Sequence, residues 1–501
     1  MTVRDALGEI WADLLGVAEI GAEADFFDLG GHSVTATRLT ARVRQRFNVS
    51  LPVRAVFDHR TLSELADRID SSPVLPPERR PQRAMSDIQR LQWFAETLSD
   101  GHSPYTIPLT LRIRGRLDTA ALRRALRDVV ARHEVLRTRF PERDGLPVPE
   151  VDPADRFVVG MVRGSADKID GWLRTQARLP FRLGVELPIR ATICRFAADD
   201  HVLSVVLHHI AGDGWSRPLL LDDLAALYAF HRGHGPAPAP PRQYTEVIPD
   251  DPGEADVRWW VDRLRGAPNR TTFGGVRPAT LSDAGDSVDL PVEALSDRVR
   301  AAGATPYAVV MGALITLLSW AADETDVVVA TSVAGRDNPD AESVIGCFIN
   351  TVAIRVDVAG DPTARQVFEA VASSTVDALD HPGVSFDRIV RELGGERDPA
   401  YRPLCQVMLT MHNEPGPRPT LAELDAEWVE VDNGGAKCDV FVDLIDDGGP
   451  LRGQLTYRTQ LYDKAFATDL ATRLCALLDL MATEPNTRLS ALRRRLEDSD
   501  A

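Results

Sequence analysis

Cysteine is scarce in this 501-residue chain, and the five present, Cys194, Cys347, Cys405, Cys438 and Cys475, lie far apart with no Cys-x-x-Cys pair. That spacing disfavours a disulfide framework or a zinc site and fits a reducing compartment. Long apolar runs are missing as well. No stretch approaches the length of a membrane-crossing helix, and the start, Met1-Thr-Val-Arg-Asp, lacks a signal-peptide core. The expected location is the cytoplasm, with no membrane partner. Positive charge is in deficit: 57 Lys and Arg stand against 74 Asp and Glu, a formal net charge of -17. Nucleic acid is therefore not an expected partner, because phosphate binding depends on clustered cations that release counterions. His231 and His234 have no Cys, Asp or Glu completing a set at ligand spacing, so no metal is expected.

What remains is an ordinary soluble balance, 44% hydrophobic and 26% charged, in a chain long enough for roughly two to four domains. The most informative stretch is Val202-Leu-Ser-Val-Val-Leu-His208-His209-Ile-Ala-Gly-Asp213-Gly214-Trp215-Ser216. Its apolar run predicts a buried strand that ends by delivering two histidines into a loop. A neutral imidazole there is suited to accept a proton near pH 7. Asp213 is placed to pair with a cation, and Gly214 to take backbone angles closed to other residues.

In chain order, Val3, Leu7, Ile10, Trp11 and Leu14 fall at helical spacing over residues 3–15, with Thr2 and Asp5 forming an N-cap. Asp25-Phe-Phe-Asp28-Leu-Gly-Gly-His32-Ser33 then opens a second helix marked by Val34, Leu39, Val43 and Phe47. Thr61-Leu-Ser-Glu64 is a capping box starting a third, so residues 1–70 read as a small helical bundle. A Pro-rich, charged linker occupies 71–83. Beyond it come a helix from Ser86, an alternating strand through Leu109, Leu111 and Ile113, and a helix capped by Asp118. The helix through Leu220, Leu224 and Tyr228, the apolar helix from Pro306 and the strand from Asp326 continue the pattern.

Two motifs carry a family resemblance. His208-His209-x-x-x-Asp213-Gly214 fills every fixed position of the signature of condensation domains from nonribosomal peptide synthetases. Phe-Phe-Asp-Leu-Gly-Gly-His-Ser33 resembles the attachment motif of peptidyl carrier proteins, in which the serine bears a 4′-phosphopantetheine arm. Arg132-His133-Glu134-x-Leu-Arg137-Thr-x-Phe140, Ile345-Gly346-Cys-Phe348 and Arg397-Asp398 through Gln406 are similar to further family motifs. In place of the more usual Phe, this chain has Cys405 and Cys438, which shrinks two packing positions.

The resemblance implies a carrier bundle (1–70), a linker (71–83) and a two-lobed α/β domain like chloramphenicol acetyltransferase. Its lobes would span 84–270 and 271–497, with a floor loop near 326–345 and a latch near 411–437. It implies that Ser33 carries the cofactor, with Asp28 and His32 as neighbours. His209 would be the base or positioner, His208 would support the loop, Arg137 would hold Asp213 by an ion pair, and amides near Gly214 would face the oxyanion. The implied reaction is amide formation between a carrier-bound donor and a carrier-bound acceptor. Gly214-Trp215-Ser216 leans towards an L-configured donor and an L-configured or achiral acceptor. Implied partners are a downstream aminoacyl carrier, an upstream adenylation domain and a phosphopantetheinyl transferase. An epimerisation domain, a catalytically silent recruiting module of the same fold and an acyltransferase to a free amine are the alternatives.

Overall fold

The computed structural model describes residues 2–499 except 19, 50, 74–84, 99–100, 102, 166–167, 249–251, 337, 395–397, 399, 414–420 and 422–423. Nearly all of the expected linker and part of the expected latch thus lie outside the described residues.

Among the described residues the N-terminal bundle has four helices where the sequence suggested three: α1 (Val3–Leu15), α2 (Ser33–Phe47), α3 (Val53–Asp58) and α4 (Leu62–Asp70). Thr2 and Asp5 close a reciprocal capping box on α1, and Thr61 and Glu64 do the same on α4. Each box satisfies two backbone donors that a helix start leaves open. The unforeseen α3 is six residues long and opens at Pro52, too short for a helical period to register. Leu7, Trp11, Phe26, Leu39, Val43, Val56 and Leu65 fill the bundle's core, and Leu379 from the far end of the chain packs against it.

The rest of the chain forms two lobes, each a mixed sheet with helices. The first sheet runs Asp425–Trp428, Thr106–Arg114, Asp200–His208, Ile189–Arg195, Val159–Arg163. Its edge strand, Asp425–Trp428, comes from the second half of the chain and pairs antiparallel with Thr106–Arg114, Leu111 opposite Trp428. The second sheet runs Asn350–Asp357, Asp326–Val333, Val407–His412, Val440–Ile445, Arg452–Arg458, Gly285–Asp289. Val407–His412 lies parallel to both of its neighbours.

The helix Pro306–Ala322 is apolar on every side because every side is covered. It starts at a Thr305 cap whose hydroxyl accepts from Ala308 N–H. The lobes interpenetrate: Ala341, Val344, Ile345 and Phe348 from the second half belong to the core of the first. Cys405 and Cys438 sit in the second lobe's core, where burial pushes both thiols up, Cys438 to about 12. Among the described residues no single helix is long and apolar enough to cross a membrane.

Candidate active site

The apolar strand Asp200–His208 ends on His208, and a single helical turn, His209–Ala211, carries the chain into Asp213. His208 is fully buried. Its Nδ1 accepts from Ile210 N–H at 3.0 Å, and its Nε2 lies 3.3 Å from Glu96 Oε2, in ion-pair reach but off the line of a good hydrogen bond. Burial works to raise the Glu96 carboxyl. The contact with His208, the Ser103 hydroxyl and Phe181 N–H (2.9 Å) outweigh it and hold Glu96 below the usual carboxylate range. The His208 ring also packs edge-on against Phe181.

His209 opens the short turn that follows the strand. Its N–H donates to the Tyr105 carbonyl at 2.7 Å, which fixes the backbone. Nδ1 is buried without a well-aligned partner, the carbonyls of His209 and Gly212 lie close to the ring, and Nε2 makes no hydrogen bond among the described residues. Burial pushes this imidazole well below 6.5, and the positive fields of Lys437 and then His208 push in the same direction. The ring is held neutral, as a proton acceptor must be.

Asp213 is structural, but its partner is not Arg137. The Arg336 guanidinium holds both carboxylate oxygens, at 2.9 and 3.1 Å. Asp213 also accepts from Ser216 N–H and hydroxyl (2.9 and 2.8 Å) and from Phe348 N–H (3.1 Å). Arg336 in turn donates to the Val344 carbonyl at 2.9 Å and to that of Ala341, and lies over the Phe348 ring. Arg137 is occupied elsewhere, donating to the Asp152 carbonyl at 2.8 Å beside Glu134. The pair therefore ties the histidine loop to the opposite lobe, not to the helix end that bears Arg137. Gly335 makes this possible: at φ 62 it turns so closely past Phe348 that a Cβ would lie 2.0 Å from the Phe348 carbonyl oxygen.

The expectation for Gly214 is also corrected. Its φ lies outside the left-handed region, and an added Cβ would meet nothing within 4 Å. The crowded glycine is Gly212, where a Cβ would sit 2.5 Å from Leu207 Cδ2. Gly214 borders open space instead. His133, in the same motif as Arg137, is paired with Asp223 at 2.6 Å.

Ser33 is the first residue of α2. Beside it, His32 Nδ1 is buried and orphaned, and burial lowers the His32 pKa. A small, partly open cleft runs along the same helix, lined by Thr37, Arg38, Trp215, Tyr307, Thr331 and Asn413 among others. The bundle is held there by Arg38 (3.0 Å) and Arg42 (3.3 Å) on Glu342 and by Arg54 on Asp377 (2.6 Å). Trp215, two residues past Asp213, donates its indole N–H to the Glu342 carbonyl and lies under the Arg38 guanidinium. An orphaned polar atom, a helix start and an adjoining cleft fit a phosphodiester-linked arm on Ser33.

Sequence reasoning missed Glu96, Tyr105 and Arg336, which contact the histidine loop. Only Arg336 gave a local hint, as a cation beside glycine at the end of an apolar strand.

Comparisons with known proteins agree with both halves. The condensation-domain family model matches residues 81–500, and the phosphopantetheine attachment site model matches residues 5–69. The chain is 33% identical, over 98% of its length, to a probable non-canonical nonribosomal peptide synthetase, CymA, of Salinispora arenicola. It is 32% identical, again over 98%, to a dimodular nonribosomal peptide synthase of Bacillus subtilis. It spans 7% of the first protein and 22% of the second. Among solved structures, it is similar to the X-domain in complex with OxyB from teicoplanin biosynthesis (29% identity, TM-score 0.74, covering 84% of this chain and 98% of that one). It shares the fold of the first condensation domain of the calcium-dependent antibiotic synthetase (22% identity, TM-score 0.66, 82% and 98% covered).

Proposed function

Since this chain belongs to the condensation-domain family of nonribosomal peptide synthetases, with a phosphopantetheine attachment site ahead of that domain, we propose that it forms a peptide bond between two carrier-bound residues. Its enzyme class is amide-forming acyl transfer. The donor is carried in cis on Ser33 and the acceptor on a downstream aminoacyl carrier. The bound arm supplies an acyl group activated as a thioester. We place the carrier at 1–70, the linker at 71–83, and the two lobes at 84–270 and 271–497. The floor loop is set near 326–345 and the latch near 411–437.

The observation that supports this reading is the His209 imidazole, its pKa held low by burial and its Nε2 free of hydrogen bonds among the described residues, on a loop whose neighbour Trp215 touches the carrier helix. His209 takes a proton from the attacking amine. His208 and Asp213 keep the loop rigid, the latter through Arg336, so Arg137 keeps a supporting part only in its own turn. Open space beside Gly214 admits the reacting groups. Ser33 would hold the phosphodiester with His32 and Arg38 at hand. An upstream adenylation domain loads the carrier after a phosphopantetheinyl transferase has modified it. Gly214-Trp215-Ser216 supports an L-configured donor and an L-configured or achiral acceptor.

The test is intact mass of both carriers after incubation. His209→Ala should lose about a hundredfold to ten-thousandfold in dipeptide formation, and Ser33→Ala should fail to gain the phosphopantetheine mass. Wild-type turnover by His209→Ala refutes the base. A second reading, a silent recruiting module, draws support from the likeness to an X-domain solved with OxyB. Capture of a modifying enzyme by a loaded chain that makes no amide would select it.

A further inference from the structure

Two arginines from different parts of the molecule share one indole. The Arg38 guanidinium lies over the Trp215 ring, 5.2 Å from its centre, and the Arg336 guanidinium lies over the same ring at 5.6 Å. Arg38 belongs to α2, five residues past Ser33, and so about 7.5 Å further along the helix axis. Arg336 is the cation that holds both carboxylate oxygens of Asp213. Each guanidinium has its own carboxylate, Glu342 for Arg38 and Asp213 for Arg336, which lets two like charges approach one ring. All three side chains line the cleft beside the carrier helix.

A second set of contacts repeats the connection. The Trp215 indole N–H donates to the Glu342 carbonyl at 2.9 Å, while the Glu342 carboxylate accepts from Arg38 at 3.0 Å and from Arg42 at 3.3 Å. Arg38 and Arg42, four residues apart, share a face of α2. Arg336 donates to the carbonyls of Ala341 and Val344 on either side of Glu342. The turn Pro339–Ser343 is thus held through its carboxylate by the carrier and through its carbonyls by Trp215 and Arg336. The two ends of this chain of contacts differ in exposure. Arg336 and Asp213 are 2% and 4% exposed, whereas Arg38 and Glu342 keep 23% and 16%. The outer pair is the one that can be made and broken, since part-exposed ion pairs add little net stability.

We propose that Trp215 is a positioning residue that couples seating of the carrier to order in the histidine loop. With α2 seated, Arg38 covers the indole and, with Arg42, fixes the turn that receives the indole N–H. The segment from His209 to Ser216 is then anchored at Asp213 and at Trp215 together. With α2 away, the Glu342 carboxylate loses both cations, the turn loosens, and the hold on Trp215 weakens with it. Such coupling is reciprocal, so an ordered loop also favours the seated carrier. His209 is therefore set for reaction when Ser33 stands at the cleft. The effect on rate rests on the amide-forming reading above; the effect on loop order does not.

The experiment uses the full chain with two readouts. One is amide hydrogen exchange over residues 209–217. The other is intact mass of the dipeptide formed from an aminoacyl donor on Ser33 and a saturating, separately loaded carrier. Arg38→Gln, which alters no residue of the two lobes, should speed exchange in that segment by about two- to thirtyfold, the range of one cation–π contact, and lower the limiting rate in step. Trp215→Leu should act alike, and Trp215→Phe, which keeps a ring face, should lose less. Arg38→Gln with Trp215→Leu should lose no more than the larger single change. Unchanged exchange over 209–217 in Arg38→Gln overturns the coupling, as does a double variant whose losses multiply. Should Trp215→Leu fail to fold, exchange in Arg38→Gln decides alone. A wild-type chain that makes no amide overturns the amide-forming reading, while faster exchange in Arg38→Gln still upholds the coupling.

Discussion

Removing Arg336 should unanchor the histidine loop, and its cost is set by burial. The Arg336 and Asp213 side chains are 2% and 4% exposed, so solvent does little to screen what remains when one partner is lost. Breaking a buried pair by deleting one side typically costs about 3–5 kcal/mol. Arg336→Met also strands the Ala341 and Val344 carbonyls that the guanidinium serves, while Ser216 and Phe348 still donate to Asp213. A loss near the middle of that range is expected. The Arg137 side chain, 18% exposed and bonded to the Asp152 carbonyl and to the part-exposed Glu134, should cost only about 0.5–1.5 kcal/mol on change to Ala. Urea unfolding of the three chains, read at the midpoint with the slope checked for constancy, measures both. Adding Asp213→Asn to Arg336→Met should restore part of the loss, because the stranded charge is then gone. Equal costs for Arg336→Met and Arg137→Ala, or no recovery in the double variant, would refute the assignment of the pair.

Reversing the carrier's anchor with Glu342→Arg should slow amide formation from the Ser33-borne donor severalfold, and Arg38→Glu with Arg42→Glu in the same chain should restore it; unchanged rates at low salt would show that the contact is idle. Gly212→Ala should cost about 1–3 kcal/mol by overpacking against Leu207, while Gly214→Ala should stay within about 0.5 kcal/mol; indistinguishable melting curves would contradict the geometry. Because His209 is held well below 6.5 in the fold, amide formation should stay level as pH falls through 6.5. The same depression means the unfolded chain takes up a proton there that the folded chain refuses, so folding weakens as pH falls below 6.5. His209→Gln should remove that part of the acid sensitivity, and parallel stability curves for variant and wild type across pH would count against a depressed imidazole.

Much of this architecture was legible from local signals. The strand Asp200–His208 announced itself by an apolar run ending at polar residues, and the caps at Thr2, Thr61, Ser86 and Asp118 are all made as hydrogen bonds. Local signals fail where the partner is far along the chain. Asp213 and Arg336 are 123 residues apart and meet only because the segment after the strand Asp326–Val333 folds back into the first lobe. Arg137 was the nearer cation in a resembling motif, and nothing short of the sheet topology distinguishes the two. The four-residue strand Asp425–Trp428 is equally silent, since two of its residues are acidic and its length is below what alternation can establish.

That late strand has a consequence for how the chain is made. Until residue 428 has left the ribosome, the outer edge of Leu111–Arg114 presents unpaired amides and carbonyls, an open template for another chain. Synthesis therefore passes through a period in which the first lobe is built but unsealed. Truncations that stop between the lobes would be expected to leave that ladder bare and to be recovered as aggregates, so attempts to exchange such units between assembly lines should cut outside the pair of lobes and never between them.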